Sequence, residues 1–262
     1  MTDTNQAMKI VAQKPACMTG RTFHYCPGCT HGVIHRMIGE VIDELQLKER
    51  VVGVAPVGCS VFAYWYFDTD FSQAAHGRAP AVATGIKRSR PDSVVFTYQG
   101  DGDLAAIGTA EIIHAANRGE RITVIFINNA IYGMTGGQMA PTSLVGMKTQ
   151  TSPYGRDPNL AGYPLRVSEM LAPLAGVKYL ARTSSDSPAN LVKTKAAIKK
   201  AFQTQLAGEG FSMVEILGIC PTNWAKTARD SNQWLRENMI PYYPLGEFKS
   251  PDKEKKEAEV NG

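Results

Sequence analysis

A doubly wound α/β fold built on a parallel sheet is what this sequence predicts, on three observations. Short apolar runs recur at 51–57, 93–98, 122–127, 177–182 and 213–219, the first three without a charge, of the kind found in strands buried on both faces. Segments with apolar residues at helical spacing lie between them. One run, ending at Tyr98, passes through Gln99-Gly100-Asp101-Gly102-Asp103 into a helical pattern, and parallel sheets bind ligands at such carboxyl-terminal strand ends.

Taken in order, residues 1–20 read as a loose N-terminal arm. Thr30 stands where a helix cap is expected, ahead of a helix from His31 to about Leu47. Its stripe is Val33, Ile34, Met37, Ile38, Val41, Ile42 and Leu45, with Glu40, Asp43 and Glu44 outside it. The first strand run follows at 51–57. Helical patterns then occupy 79–90, 104–118 and 189–206, the second closed by Gly119, a residue favoured just past a helix end. No linker or repeat divides the chain, so 21–248 reads as one domain. The tail 249–262 is charged, poor in apolar residues and expected to be disordered.

Composition removes several function classes. Of 262 residues, 44% are hydrophobic and 20% charged, and the net charge is +4, which is ordinary for a globular protein. The charge is too mild, and too little interleaved with aromatics, for a nucleic-acid binder. Two long uncharged stretches are no membrane spans: 51–67 is broken by Pro56 and Gly58, and 122–147 is apolar only through Ile127. The segment Met1–Ile10 is polar, without the apolar core of a signal peptide, which predicts a cytoplasmic protein. Five cysteines (17, 26, 29, 59 and 220) then point to metal chemistry rather than to a disulfide framework.

Gly100-Asp101-Gly102-Asp103 carries the densest information. Glycines let backbone approach a ligand, and a helix N-terminus favours an anion such as diphosphate. With Ala105 the spacing also fits the dinucleotide fingerprint, which requires an acidic residue at the end of the next strand. That strand, 122–127, ends in Asn128-Asn129 instead, and the dinucleotide reading fails. A metal–diphosphate reading fits both. A right-handed crossover brings the next strand's carboxyl end to the same sheet edge. Asp101, Asn129 and a nearby backbone carbonyl then supply half of an octahedral Mg²⁺ shell, leaving room for phosphate oxygens and water.

Cys26-Pro27-Gly28-Cys29 precedes the first helix, Cys59 follows the first strand run and Cys220 the last. In a parallel sheet those strand ends share an edge with Asp101 and Asn129. By spacing alone an iron–sulfur cluster and a structural zinc site stand level, and buried free thiols are the blander reading.

Five segments carry a resemblance. They are 25–32 (Tyr-Cys-Pro-Gly-Cys-Thr-His-Gly), 56–60 (Pro-Val-Gly-Cys-Ser), 76–85, 99–103 and 131–138. Together they resemble the beta subunit of 2-oxoacid:ferredoxin oxidoreductases, in order from about residue 23 to about 220. The resemblance implies the diphosphate-binding domain of a thiamine diphosphate enzyme. Asp101, Asn129 and the carbonyl of Ile131 would hold Mg²⁺. Cys26, Cys29, Cys59 and Cys220 would ligate a [4Fe–4S] cluster, Cys220 standing in the least distinctive context and Cys17 remaining a free thiol. Gly100, Gly102 and Asp103 belong to the motif that holds the cofactor, and Ser60, His76, Arg78 and Thr135 are expected to contact it. His31, His35 and His114 are expected to be packing residues. The helix face of Lys193, Lys195, Lys199 and Lys200 is expected to be solvated, with docking of an acidic partner as its functional alternative.

The implied reaction is oxidative decarboxylation of a 2-oxoacid with coenzyme A, electrons leaving through the cluster to ferredoxin. Both 2-oxoglutarate and branched-chain 2-oxoacids fit, with 2-oxoglutarate preferred. No catalytic residue is assigned on this chain. The activating glutamate of such enzymes lies on another domain, and no ferredoxin-type cysteine run is present, so an alpha-type subunit with the pyrimidine-binding domain and a ferredoxin-like subunit are implied partners. The residues 131, 132, 134 and 139 are expected to form an exposed apolar patch towards that second wall. The competing readings are a non-redox thiamine diphosphate decarboxylase or carboligase subunit with structural zinc, and a non-enzymatic nucleotide- or zinc-binding accessory subunit.

Overall fold

The computed structural model describes residues 12–251; the first part of the expected arm and positions 252–262 of the expected tail lie outside the described residues. The strands are β1 (Val51–Ala55), β2 (Asp70–Gln73), β3 (Val94–Gly100), β4 (Thr123–Asn128), β5 (Ile131–Tyr132), β6 (Gln138–Met139), β7 (Val177–Ser184), β8 (Phe211–Leu217) and β9 (Gly246–Lys249). Seven form one sheet in the order β2-β1-β3-β4-β8-β7-β9, and β5 pairs with β6 in a short hairpin. All pairs of the large sheet are parallel except β7–β9.

Both faces are covered, as uninterrupted apolar strands demand. On one face Phe96, Tyr98, Ile125, Ile127, Val214 and Ile216 pack against the helices His31–Glu44 and Pro188–Leu206. On the other, Val95, Val124, Phe126, Leu180 and Met213 meet Ala79–Ser89, Thr109–Asn117 and Val167–Leu171. The alternation of Phe96 and Tyr98 with Val95 is the strand period of two. A third apolar group, including Ile131, Leu144, Ile219, Trp224 and Tyr243, seals the loops beyond the carboxyl edge.

Several expectations are corrected. The helical pattern 104–118 begins as a wide π turn, Asp103–Ile107, before the α-helix Thr109–Asn117. Gly108 N–H reaches Asp103 O (2.9 Å), a five-residue step, and a side chain at Gly108 would run into Gly77 O at 2.7 Å. Two edge strands carry no apolar run: β2 reads Asp-Phe-Ser-Gln, and β9 extends through Lys249, where the tail was expected to start. Ser250 is buried as well. Thr30 does not cap its helix with its side chain; its hydroxyl accepts from Ile219 N–H (3.3 Å), drawing the Cys29 turn to the end of β8. Lys195 and Lys199 pair with Glu40 and Glu44, and Lys200 with Glu247, so that face is largely neutralised. Among the described residues no helix is long and apolar enough to cross a membrane.

Candidate functional site

Register decides what meets at the carboxyl edge. Gly100 lies beside Ile127, and Asn128 beside Leu217, so β3, β4 and β8 end side by side. Their continuations, Asp101, Asn129 and Gly218–Cys220, therefore converge. The two asparagines face opposite ways: Asn128 Nδ2 donates to buried Glu215 (2.8 Å), itself paired with Arg182. Asn129 instead lines a cavity with Asp101, Gly100, Gly102, Asp103, Ser60, His76 and Thr135. Ala130 between Asn129 and Ile131 has φ +58°, a left-handed turn that an alanine adopts only at a cost, of the kind stored at functional sites.

Asp101 is 2% exposed. It accepts from Gly102 N–H (2.9 Å) and from the Thr142 hydroxyl (2.7 Å). Burial pushes its carboxyl up to about 6, against the pull of those bonds and of the Ala130 and Ile131 amides. A buried carboxylate is costly unless a cation or donors compensate it, so the donor set fits a divalent cation. A Cβ on Gly58 or Gly100 would meet nothing within 4 Å, so the backbone there borders open cavity, as a diphosphate cradle requires. Gly102 serves differently from expectation. A Cβ there would sit 2.2 Å from the Tyr132 ring, so its missing side chain makes room for that ring.

Asp103 is a structural hub. Its Oδ1 accepts from Val57 N–H (3.2 Å), Gly77 N–H (2.9 Å) and His76 Nδ1 (2.7 Å), and its Oδ2 from Gln99 (2.6 Å). It thus fastens two loops of the cavity wall rather than presenting free lone pairs to a ligand. The Thr135 hydroxyl lines the cavity but bonds to Gln138 (2.6 Å). Arg78 is not brought to the cavity; it pairs with Glu111 (2.5 Å) and the Ile107 carbonyl.

Four of the five cysteines, Cys26, Cys29, Cys59 and Cys220, line an adjoining cavity of about 200 Å³, which shares His31, Cys59, Asn129, Gly133 and Met134 with the first. Asn223 Nδ2 donates to Cys220 Sγ (3.3 Å) and to Gly133 O (2.8 Å). Burial pushes the Cys29 thiol up to about 11 and Cys59 to about 12, and the neighbouring thiols add to both. Bare, Cys29 and Cys59 keep their protons; a bound cation core is what would stabilise their thiolates. Among the described residues no three His, Cys, Asp or Glu side chains close tightly enough for one metal ion, whereas four thiols around a cavity have the donor chemistry of a polynuclear cluster. Cys17 lies elsewhere, buried with its Sγ on Gly39 O (3.3 Å).

Sequence reasoning missed several residues here. His31 is packed as expected, at 4% exposure, and it also lines both cavities. His35 is buried as expected, and His114 is exposed. Ile131 is buried at 1% exposure while Met134 is 53% exposed, so the expected apolar patch shrinks to Met134 and its immediate neighbours. Thr142 and Arg156 carried no signal because their role needs the fold. The Arg156 guanidinium, buried without a carboxylate, donates to the carbonyls of Ala140, Pro141, Ser143, Ala161, Gly162 and Tyr163. It clamps the loop from which Thr142 reaches Asp101. Arg156→Ala should orphan several carbonyls and cost about 3 kcal/mol or more. That corresponds to a melting temperature lower by roughly 6–12 °C, read by thermal denaturation. An unchanged melting temperature would refute the clamp.

Comparisons with known proteins agree with this geometry. The model of the thiamine pyrophosphate enzyme C-terminal TPP-binding domain matches residues 57–216. The ketoisovalerate oxidoreductase subunit VorA of Methanothermobacter thermautotrophicus is 52% identical over 226 residues, 86% of this chain and 47% of that protein. The 2-oxoglutarate synthase subunit KorB of Methanocaldococcus jannaschii is 38% identical over 244 residues, 91% of this chain and 83% of that protein. A 2-oxoglutarate:ferredoxin oxidoreductase from Magnetococcus marinus, solved with 2-oxoglutarate, coenzyme A and succinyl-CoA, superposes with a TM-score of 0.78 at 26% identity, covering 97% of this chain and 93% of that one. The chain spans about half the length of the VorA relatives it matches. With its sheet, its Asp101–Asn129 edge and these matches, the chain belongs to the thiamine pyrophosphate-binding subunits of the 2-oxoacid:ferredoxin oxidoreductase family.

Proposed function

We propose that this chain holds the diphosphate end of thiamine diphosphate with Mg²⁺, beside a [4Fe–4S] cluster, within an oxidoreductase that decarboxylates a 2-oxoacid, passes the acyl group to coenzyme A and the electrons to ferredoxin. The observation that carries it is the wall shared by two cavities, one with the Asp101–Asn129 pair and one with four thiols. When bound, the cofactor supplies the carbanion chemistry of decarboxylation and the cluster a one-electron acceptor.

The chain's own residues bind and position. Asp101, Asn129 and the Ile131 carbonyl hold Mg²⁺, with Gly100 leaving room for the diphosphate. Asp103 fixes the loops that carry Val57 and His76, and Ser60 and Thr135 complete the polar wall. Cys26, Cys29, Cys59 and Cys220 hold the cluster. Arg78 is better placed to brace the helix of Glu111 than to touch the cofactor. We read residues 21–248 as one cofactor-binding unit extended by β9, and place it in the cytoplasm, where thiols stay reduced.

The first cavity holds about 120 Å³, whereas sites that enclose a ligand of this size run to roughly 300–1,000 Å³. A second wall is therefore needed, supplied by an alpha-type subunit with the pyrimidine-binding domain; a ferredoxin-like subunit would extend the electron path. The substrate reading moves towards a branched-chain 2-oxoacid. The VorA relative is 52% identical against 38% for KorB, and among the described residues no Lys or Arg lines either cavity to receive the second carboxylate of 2-oxoglutarate.

The test is reduction of viologen or ferredoxin on adding 2-oxoacid, coenzyme A, thiamine diphosphate and Mg²⁺. The purified single chain should fall below the complex with its alpha-type partner by at least about 10²–10⁴-fold, the typical worth of the missing acid–base help. Robust turnover by the single chain would overturn the half-site reading. A profile favouring 2-oxoglutarate over 2-oxoisovalerate would overturn the substrate assignment.

A further inference from the structure

His31 opens the first long helix and joins both cavities to the sheet. It follows Thr30, two residues after Cys29, at the first turn of that helix. On its ring, Nδ1 lies 2.6 Å from the hydroxyl of Tyr98, on the strand that ends at Gly100 just before Asp101. The ring stacks on Tyr25 at a centroid distance of 4.9 Å and is nearly enclosed, with 4% of the residue exposed. What remains open lines both cavities.

The proton on that ring is placed by its neighbour. Nδ1 is the one acceptor within reach of the Tyr98 hydroxyl among the described residues, so Tyr98 donates to it. An imidazole that accepts at Nδ1 carries its hydrogen on Nε2. Nε2 has no hydrogen-bond partner among the described residues, and it is the polar atom that His31 can turn to the cavities. A neutral N–H donor in an enclosed site acts on an acceptor oxygen more strongly than it would in water.

We propose that His31 is a substrate-binding residue, whose Nε2–H donates to an oxygen of the 2-oxoacid at the end of the cofactor cavity nearest the thiols. This rests on the function proposed above. The diphosphate end belongs to Asp101 and Asn129; Asn129 begins the wall shared with the cysteine cavity, and His31 and Cys59 carry that wall on to the thiols, the side from which electrons would leave. Substrate oxygens are the acceptors that arrive there. The role is distinct from that of His76, whose Nδ1 is spent on Asp103.

The experiment uses the complex loaded with thiamine diphosphate and Mg²⁺, and calorimetric binding of the acylphosphonate analogue of the branched-chain 2-oxoacid, which cannot lose CO₂. His31→Leu should weaken the analogue about 10- to 100-fold, the usual worth of a hydrogen bond to a charged group. His31→Gln, which keeps an N–H donor, should recover most of that loss. Tyr98→Phe, which frees Nδ1 to take the hydrogen, should fall between. Affinity for thiamine diphosphate and the reduced-cluster resonance should stay as in the wild type in all three, while His31→Leu, which orphans the buried Tyr98 hydroxyl, should also lower the melting temperature. Equal analogue affinity in wild type and His31→Leu overturns the proposal, as does equal damage by Leu and Gln. If His31→Leu does not fold, unchanged analogue binding in Tyr98→Phe overturns it. Failure of the wild-type complex to bind thiamine diphosphate would instead sink the underlying function.

Discussion

Asp101→Ala should weaken Mg²⁺-dependent binding of thiamine diphosphate by more than about a hundredfold, beyond the 10–100-fold typical of losing a group that only orients a metal ligand. Asp101 is the carboxylate of the strand-end pair, and neither an alanine nor a neutral water restores its negative charge beside a divalent cation. Asn129→Ala should cost less, because water can replace a neutral ligand. The effect carries a pH signature. Burial pushes the Asp101 carboxyl up to about 6, and Mg²⁺ needs it ionised. Cofactor affinity should therefore rise with pH through about 6 and level off above it. Without metal the sign for stability is opposite. The folded chain holds this proton more tightly than the unfolded one, so the contribution is complete below 3.8 and lost as pH climbs to about 6. Isothermal calorimetry across that range is the check, and unchanged affinity in Asp101→Ala would end the metal assignment.

The second large effect concerns iron. Serine at Cys26, Cys29, Cys59 or Cys220 should cut the iron and sulfide content of anaerobically prepared protein to less than about half, with loss of the broad absorption near 400 nm expected of the cluster. Cys17→Ser should leave both unchanged, since its thiol is buried against Gly39. The case for Cys220 is now stronger than its lone position in sequence allowed: Thr30 ties the end of β8 to the Cys29 turn, and Asn223 donates to the Cys220 sulfur. Full iron occupancy in Cys220→Ser would remove it from the ligand set. Zinc in place of iron in the wild-type protein would overturn the redox reading.

What could be read in advance follows from what is local. Five buried strands showed themselves because a strand covered on both faces is predominantly apolar, even where a buried pair such as Arg182 and Glu215 interrupts it. The four long helical patterns showed themselves through their spacing, the third only in outline because the five-residue step from Asp103 to Gly108 has no periodic signature. Gly100-Asp101-Gly102 and Asn128-Asn129 stood out because they end two successive strands, and the register does bring Asp101 and Asn129 to one cavity. The edge strands β2 and β9 were not: an edge pairs on one side and needs no apolar run, so Asp70–Gln73 looks like loop.

The parallel α/β fold and the standing of Asp101, Asn129, Cys59 and Cys220 just past strand ends could be read from the chain alone, because each follows from residue chemistry at short range. Which polar groups face the cavities depends on the folded arrangement. Asn128 turns down to Glu215 while Asn129 turns to the cavity, and Asp103 is spent on loop amides although it stands two residues from Asp101. Arg78 leaves for Glu111, and His31, which the sequence offers as one more helical histidine, occupies the wall between two cavities. The physical reason is the same in each case. A polar side chain near an active edge is drawn to whichever partner the fold brings within about 3 Å, and no spacing along the chain encodes a partner thirty to ninety residues away.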